Sequence, residues 1–88
     1  AMGELALTLA GLVEQVRRRE LGDLGRGLRR LQRMADHLGM ISLGLIAAEA
    51  RICMDRSDAT AFAAVWARLI RVAEASLSMD RDVLDQSL

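Results

Sequence analysis

Few side chains in this sequence can carry out covalent chemistry. It holds one His (His37), one Cys (Cys53), no Tyr and, among its twelve basic residues, no Lys. Metal centres in helical bundles take inward-facing Glu and Glu-x-x-His motifs. Met34 stands three residues before His37, where the Glu would be needed, so no metal or cofactor is expected. Nucleophilic catalysis needs a nucleophile and a base that activates it. Ser42, Ser57, Ser76 and Cys53 carry no signature of such a partner. Glu49 reads as a solvent-facing residue. Gly22, Gly25 and Gly27 lack the preceding strand and following Lys of a phosphate loop. The chain is therefore expected to have no catalytic residues of its own. His37, next to Asp36 at a helix end, is the single weak candidate for accepting a phosphoryl group.

Charge is the more informative chemistry. The formal net charge is zero, so no global field points to nucleic acid or an anionic membrane. The charge is nevertheless uneven. From Arg17 to Arg33 there are seven Arg against Glu20 and Asp23, a local excess of five. Three readings are open: solvated helix faces, a dock for an acidic protein surface, or a nucleic-acid contact. The last lacks an aromatic platform and a helix-turn-helix pattern, so nucleic acid is not expected. The residues assigned to partner binding are Arg26, Arg29, Arg30, Gln32 and Arg33.

The elements that must position these groups are helical. Apolar residues make up 52% of the chain, and proline is absent; Leu, Ala, Ile, Val and Met dominate, which favours helix. At 88 residues the chain makes one domain. Four helices are predicted over residues 3–20, 23–38, 40–56 and 58–78, with a tail at 79–88 that adds a turn around Val83 and Leu84 or frays. Leu5, Leu9, Leu12 and Val16 form the stripe of the first, widened by Leu7 and Val13. Gly11 within it is explained by a close helix approach. Gly22 is its expected stop, and Asp23 the cap of the second helix. The stripe of the second is Leu24, Leu28, Leu31, Ala35 and Leu38, and Gly39 ends it.

The third helix is apolar around most of its circumference and is expected to be enclosed by the other three. Ile41, Leu45, Ile46, Ala48, Ile52 and Cys53 cover much of it; Met40, Leu43, Ala47, Ala50 and Met54 are placed on any face left outside, where they would serve a homodimer or partner seam. Ser57 or Asp58 caps the fourth helix. Phe62, Val65, Trp66, Leu69, Ile70, Ala73 and Leu77 face inward there, with Arg68, Arg71 and Glu74 outside. Links of two to four residues then imply an all-α, antiparallel up-down-up-down four-helix bundle. Three helices with a docked tail are the alternative. Cys53 reads as a small buried hydrophobe, which fits a reducing cytoplasm. No apolar run approaches the ~18 residues of a membrane span. The start shows no basic lead into a signal peptide, and Ala1 before Met2 reads as a cloning remnant.

From Leu38 onward the chain resembles the histidine-containing phosphotransfer (HPt) domains of bacterial phosphorelays. The matching residues are Leu38-Gly39 at the helix break, then Leu43, Ile46 and Ala47, then Ser57-Asp58 where the family often has Gly-Asp, and Ala59, Ala63 and Leu69. The resemblance implies a four-helix bundle in two-component signalling, with a response-regulator receiver domain or a histidine kinase as partner. The family's signature is a phosphorylated His followed by Lys three and Gly four residues later. Counting back from Gly39 without gaps puts Arg29, Gln32 and Arg33 at those places. Anchoring on Gly22-Asp23 instead puts Gln32 at the His position. Neither register supplies His, Lys or Gly, and His37 fits only by breaking the Leu-Gly match. The residues thus argue for a degenerate, non-catalytic docking module rather than a phosphoryl carrier.

Overall fold

The computed structural model describes the backbone of residues 2–87 and the side chains of residues 3–78. It contains four helices: α1 (Met2–Arg17), α2 (Leu24–His37), α3 (Ile41–Asp55) and α4 (Ala59–Ser87). They form a four-helix bundle with no strand among the described residues. Chain neighbours pack on each other, α1 on α2, α2 on α3 and α3 on α4, and α1 touches α4 only sparsely. Across the α1–α2 seam Leu12 meets Gly27 and Thr8 meets Met34. Across the next seam Asp36 meets Gly44 and Gln32 meets Arg51. In both, numbers rise on one helix as they fall on the other, as short links require.

The core is aliphatic. Leu5, Leu9 and Leu12 from α1 meet Leu24, Leu28, Leu31 and Ala35 from α2. Leu43, Ile46, Ala47 and Ala50 from α3 and Val65, Leu69 and Ala73 from α4 complete it. The predicted stripe of α2 is therefore the buried one, with Leu38 only half-buried. On α1 the widening residues differ from expectation: Leu7 is 76% exposed and Val13 41%. Three buried Leu already fill the space α1 covers. Gly11 is open, with nothing a Cβ would meet. The close approach falls at Gly27, where a Cβ would overlap Leu12 Cδ2.

α3 departs most from the sequence reading. Leu43, Ala47 and Ala50, expected outside, are buried, whereas Ile41 and Leu45 are 69% and 67% exposed and Ile52 49%. The helix is thus not enclosed. Its inward face is set by small residues: Gly44, Ala47 and Ala50 are all buried, and a Cβ on Gly44 would overlap Asp36 Oδ1 from α2. Bulky Ile or Leu at those places would hold α2 and α4 apart, because helix axes approach only as closely as the side chains between them allow.

Three helix ends share one device. After α1, Glu20 N–H donates to Gln15 O at 2.9 Å and Arg19 N–H to Val16 O at 3.1 Å. After α2, Met40 N–H donates to Ala35 O at 2.8 Å and Gly39 N–H to Asp36 O at 3.2 Å. After α3, Asp58 N–H donates to Cys53 O at 3.0 Å and Ser57 N–H to Met54 O at 2.9 Å. Each is a Schellman pair, which needs a left-handed residue just past the helix. Gly39 supplies it after α2 (φ 76°), but Arg19 (φ 57°) and Ser57 (φ 54°) do so elsewhere. Gly22 is therefore not the stop of α1. Asp23 does not cap α2 through its side chain: its ψ is 1° rather than extended, and its carboxylate accepts from Arg26 instead. Asp58 does cap α4, accepting from Ala61 N–H at 3.0 Å.

On α4, Val65, Leu69 and Ala73 are buried, with Phe62 and Trp66 stacked beside them at 6.1 Å between ring centroids. The helix continues past the expected end near residue 78 to Ser87. Its 29 residues span about 43 Å, close to the 46 Å length of the whole molecule. The Val83 and Leu84 side chains, and Ala1, lie outside the described residues. No helix among the described residues is long and apolar enough to cross a membrane.

Candidate functional site

The outer face of α2 is built by the same periodicity that buries its Leu stripe. With Leu24, Leu28, Leu31 and Ala35 inward, steps of three and four residues place Arg26, Arg29, Arg30 and Arg33 outward. All four are exposed. They line an open hollow of about 570 Å³ together with Asp23 and Gly27 from α2's own start and Gln15 from α1. Gly27 brings α1 against α2 at Leu12 and adds no side chain to this hollow.

Local pairing decides which of these cations are available. Arg26 Nη2 donates to Asp23 Oδ1 at 2.6 Å. On α1, Glu14 takes two guanidinium groups: Arg17 through Nε at 3.0 Å and Nη2 at 2.5 Å, and Arg18 through Nε at 2.8 Å. The Arg17 hydrogen bonds hold the Glu14 carboxyl below the usual carboxylate range, with Arg18 adding to the effect, and the same contact raises Arg17. Arg19, Arg29, Arg30 and Arg33 make no ion pair among the described residues. Three of these four cations, Arg29, Arg30 and Arg33, share one turn of α2, while Arg19 stands apart just past α1.

Gln32 does not belong with them. It is half-buried on the α3 side of α2, where its Oε1 accepts from Arg51 Nη1 at 2.8 Å. Its role in the structure is to tie α2 to α3, and it is separated from the Arg face it was grouped with. His37 is the last residue of α2 and is exposed. It borders a hollow of about 310 Å³ with Glu4, Arg33, Met34 and Leu38. It thus stands at the rim of the bundle, four residues beyond Arg33, rather than in the middle of the helix.

The remaining reactive side chains are scattered. Ser76 Oγ donates back to Val72 O at 2.9 Å. Cys53 is a half-buried free thiol rather than a fully buried one. Among the described residues, no three of His, Cys, Asp and Glu gather where they could hold a metal ion. The sequence reading missed the Arg51–Gln32 bridge, which spacing within one helix cannot reveal, and the outward turn of Ile41, Leu45 and Ile52. No family model matches the chain, and no curated protein or solved structure does either.

Proposed function

We propose that this chain is a non-catalytic docking module of two-component signalling, a degenerate relative of HPt domains. Arg29, Arg30 and Arg33, with Arg26 beside them, take the acidic surface of a receiver domain or a histidine kinase. The observation that carries the reading is the run of three exposed guanidinium groups on one turn of α2 with no ion pair among the described residues. Arg presents a planar fork suited to bidentate contact with carboxylates. In the register counted back from Gly39, Arg29 stands where the HPt resemblance puts a phosphorylated imidazole; in the register anchored on Gly22-Asp23, Gln32 does. In the first of these registers Arg33 stands where it puts the small Gly that admits the partner. Both Arg replace phosphoryl chemistry with charge, and both support docking without transfer.

Binding of this kind is steered by charge, so it weakens as salt rises. The test is a titration of the chain against the receiver and kinase domains of its own cell, at low and high salt. Arg29→Glu and Arg33→Glu are each expected to weaken binding by about tenfold or more while helicity is unchanged. Incubation with a phosphorylated receiver is expected to leave the chain unlabelled. An acid-labile label that vanishes in His37→Ala would overturn the reading in favour of phosphoryl carriage. Binding that is indifferent to both Arg substitutions would remove the Arg face from it.

A further inference from the structure

A second surface of the bundle, on α3, has no cover. Ile41, Leu45, Ala48 and Ile52 fall at steps of four, three and four, so they share one side of the helix. Three of them are exposed to solvent, Ile41 and Leu45 by about two-thirds and Ile52 by about half. The spacing of the stripe is the same from either end, with Ile at both of its ends. Ile41 and Ile52 are equidistant from its midpoint, and so are Leu45 and Ala48. We infer that two copies of this chain associate about a two-fold axis at that midpoint, with their α3 helices side by side and oppositely directed. A two-fold contact must be self-complementary, and this one is. Ile41 of one copy meets Ile52 of the other, and bulky Leu45 meets small Ala48.

The borders of the stripe match in charge as well. On the side facing α2, Arg51 is held by Gln32, and the Asp36 carboxylate sits over Gly44. In the two-fold register Arg51 of one copy comes within about 3 Å, along the axis, of Gly44 in the other. Its guanidinium then faces the Asp36 carboxylate of the second copy, and symmetry repeats the pair. On the side facing α4, Glu49 is already paired with Arg68 at 3.6 Å, so the two copies present no bare like charges there. A second copy therefore satisfies both the apolar stripe and its charged edge.

Area sets the strength. α3 is about 22 Å long and offers a strip about 10 Å wide, well below the ~800 Å² per partner of a standard stable interface. The dimer is accordingly weak and reversible. It uses none of the Arg residues of the α2 docking face, so the two proposals stand or fall separately.

Sedimentation equilibrium of the full chain from about 10 µM to about 1 mM tests this. The expected mass rises from 9.6 kDa towards twice that value. Leu45→Glu, at an exposed position, is expected to keep the helical circular-dichroism spectrum and remain monomeric throughout. Arg51→Glu is expected to weaken the dimer about tenfold by facing Asp36 with a like charge. Adding Asp36→Arg to Arg51→Glu is expected to restore it to within about threefold. A monomer at every concentration overturns the inference. So does a dimer that survives Leu45→Glu, or one that the double charge exchange fails to restore, since either would mean another surface or another register.

Discussion

α2 and α3 are nearly the same length, 14 and 15 residues, and pack against each other more extensively than any other pair. Their outer faces are opposites. α2 presents a charged surface of Arg26, Arg29, Arg30 and Arg33; α3 presents Ile41, Leu45 and Ile52. In α2 the apolar stripe is narrow, so only one orientation buries it, and chemistry alone chooses the inward side. In α3 almost every side is apolar, so hydrophobicity cannot choose. The choice falls to shape: the inward side combines Gly44, Ala47 and Ala50, which let neighbouring helices approach, with Leu43 and Ile46, which fill the core between them. The lesson is that polarity orients a helix only when polar residues occupy a wide arc; otherwise shape does.

The largest test of that contrast compares Leu31 with Leu45. Leu31 is fully buried on α2, so Leu31→Ala is expected to cost about 2–5 kcal/mol, a transfer loss plus a cavity. Leu45→Ala is expected to stay within about 0.5 kcal/mol in the monomer. Urea unfolding at low protein concentration measures both. Equal losses would mean that α3 is enclosed after all and that its two sides do not differ.

The two close-approach glycines sharpen the same contrast. Gly27→Ala pushes a methyl into Leu12, which is buried and held by its neighbours, and overpacking typically costs about 1–3 kcal/mol. Gly44→Ala overlaps only the end of the exposed Asp36 side chain, which can swing away, and meets the Gln32 carbonyl at ordinary contact distance. There the helix-propensity gain of about 1 kcal/mol should dominate. Gly27→Ala is thus expected to lower the urea midpoint and Gly44→Ala to raise it. A loss of stability at Gly44 would show that Asp36 is locked in place.

The ends of the two helices give the smallest effect. Gly39 closes α2 and Ser57 closes α3, both left-handed. A side chain in that conformation costs roughly 1–2 kcal/mol, partly offset by the lower flexibility of a non-glycine residue when unfolded. Gly39→Ala is expected to destabilise by about 1 kcal/mol, and Ser57→Gly to stabilise by about 0.5 kcal/mol, read from thermal unfolding. A stabilising Gly39→Ala would contradict the Schellman geometry.

These elements also show what could be read in advance. The four helices, the buried stripe of α2, the Gly39 stop and the Asp58 cap follow from local pattern and local chemistry. The exposed Arg face follows from the same period. Arg19 and Ser57 at left-handed ends do not, because no side-chain chemistry marks them, and near Arg19 the more obvious stop was Gly22. The failed cap at Asp23 depends on a backbone ψ, and on Arg26 competing for the same carboxylate. The bridge from Gln32 to Arg51 and the close packing at Gly27 and Gly44 join residues far apart in sequence, which periodicity within one helix cannot see.

The sparse contact between α1 and α4 means that the four helices make an open ring, with its gap at that seam. In a closed ring every helix is held by two full seams, and both must part before it can leave. This one can release α1 by parting its seam with α2 and its few contacts with α4, while α2, α3 and α4 keep both of their shared seams. Partial opening should therefore run in a fixed order. Amide protons along α1 are expected to exchange with solvent sooner than those at the centres of α2 and α3, and uniform protection across the three would mean that the gap is closed by contacts of equal strength.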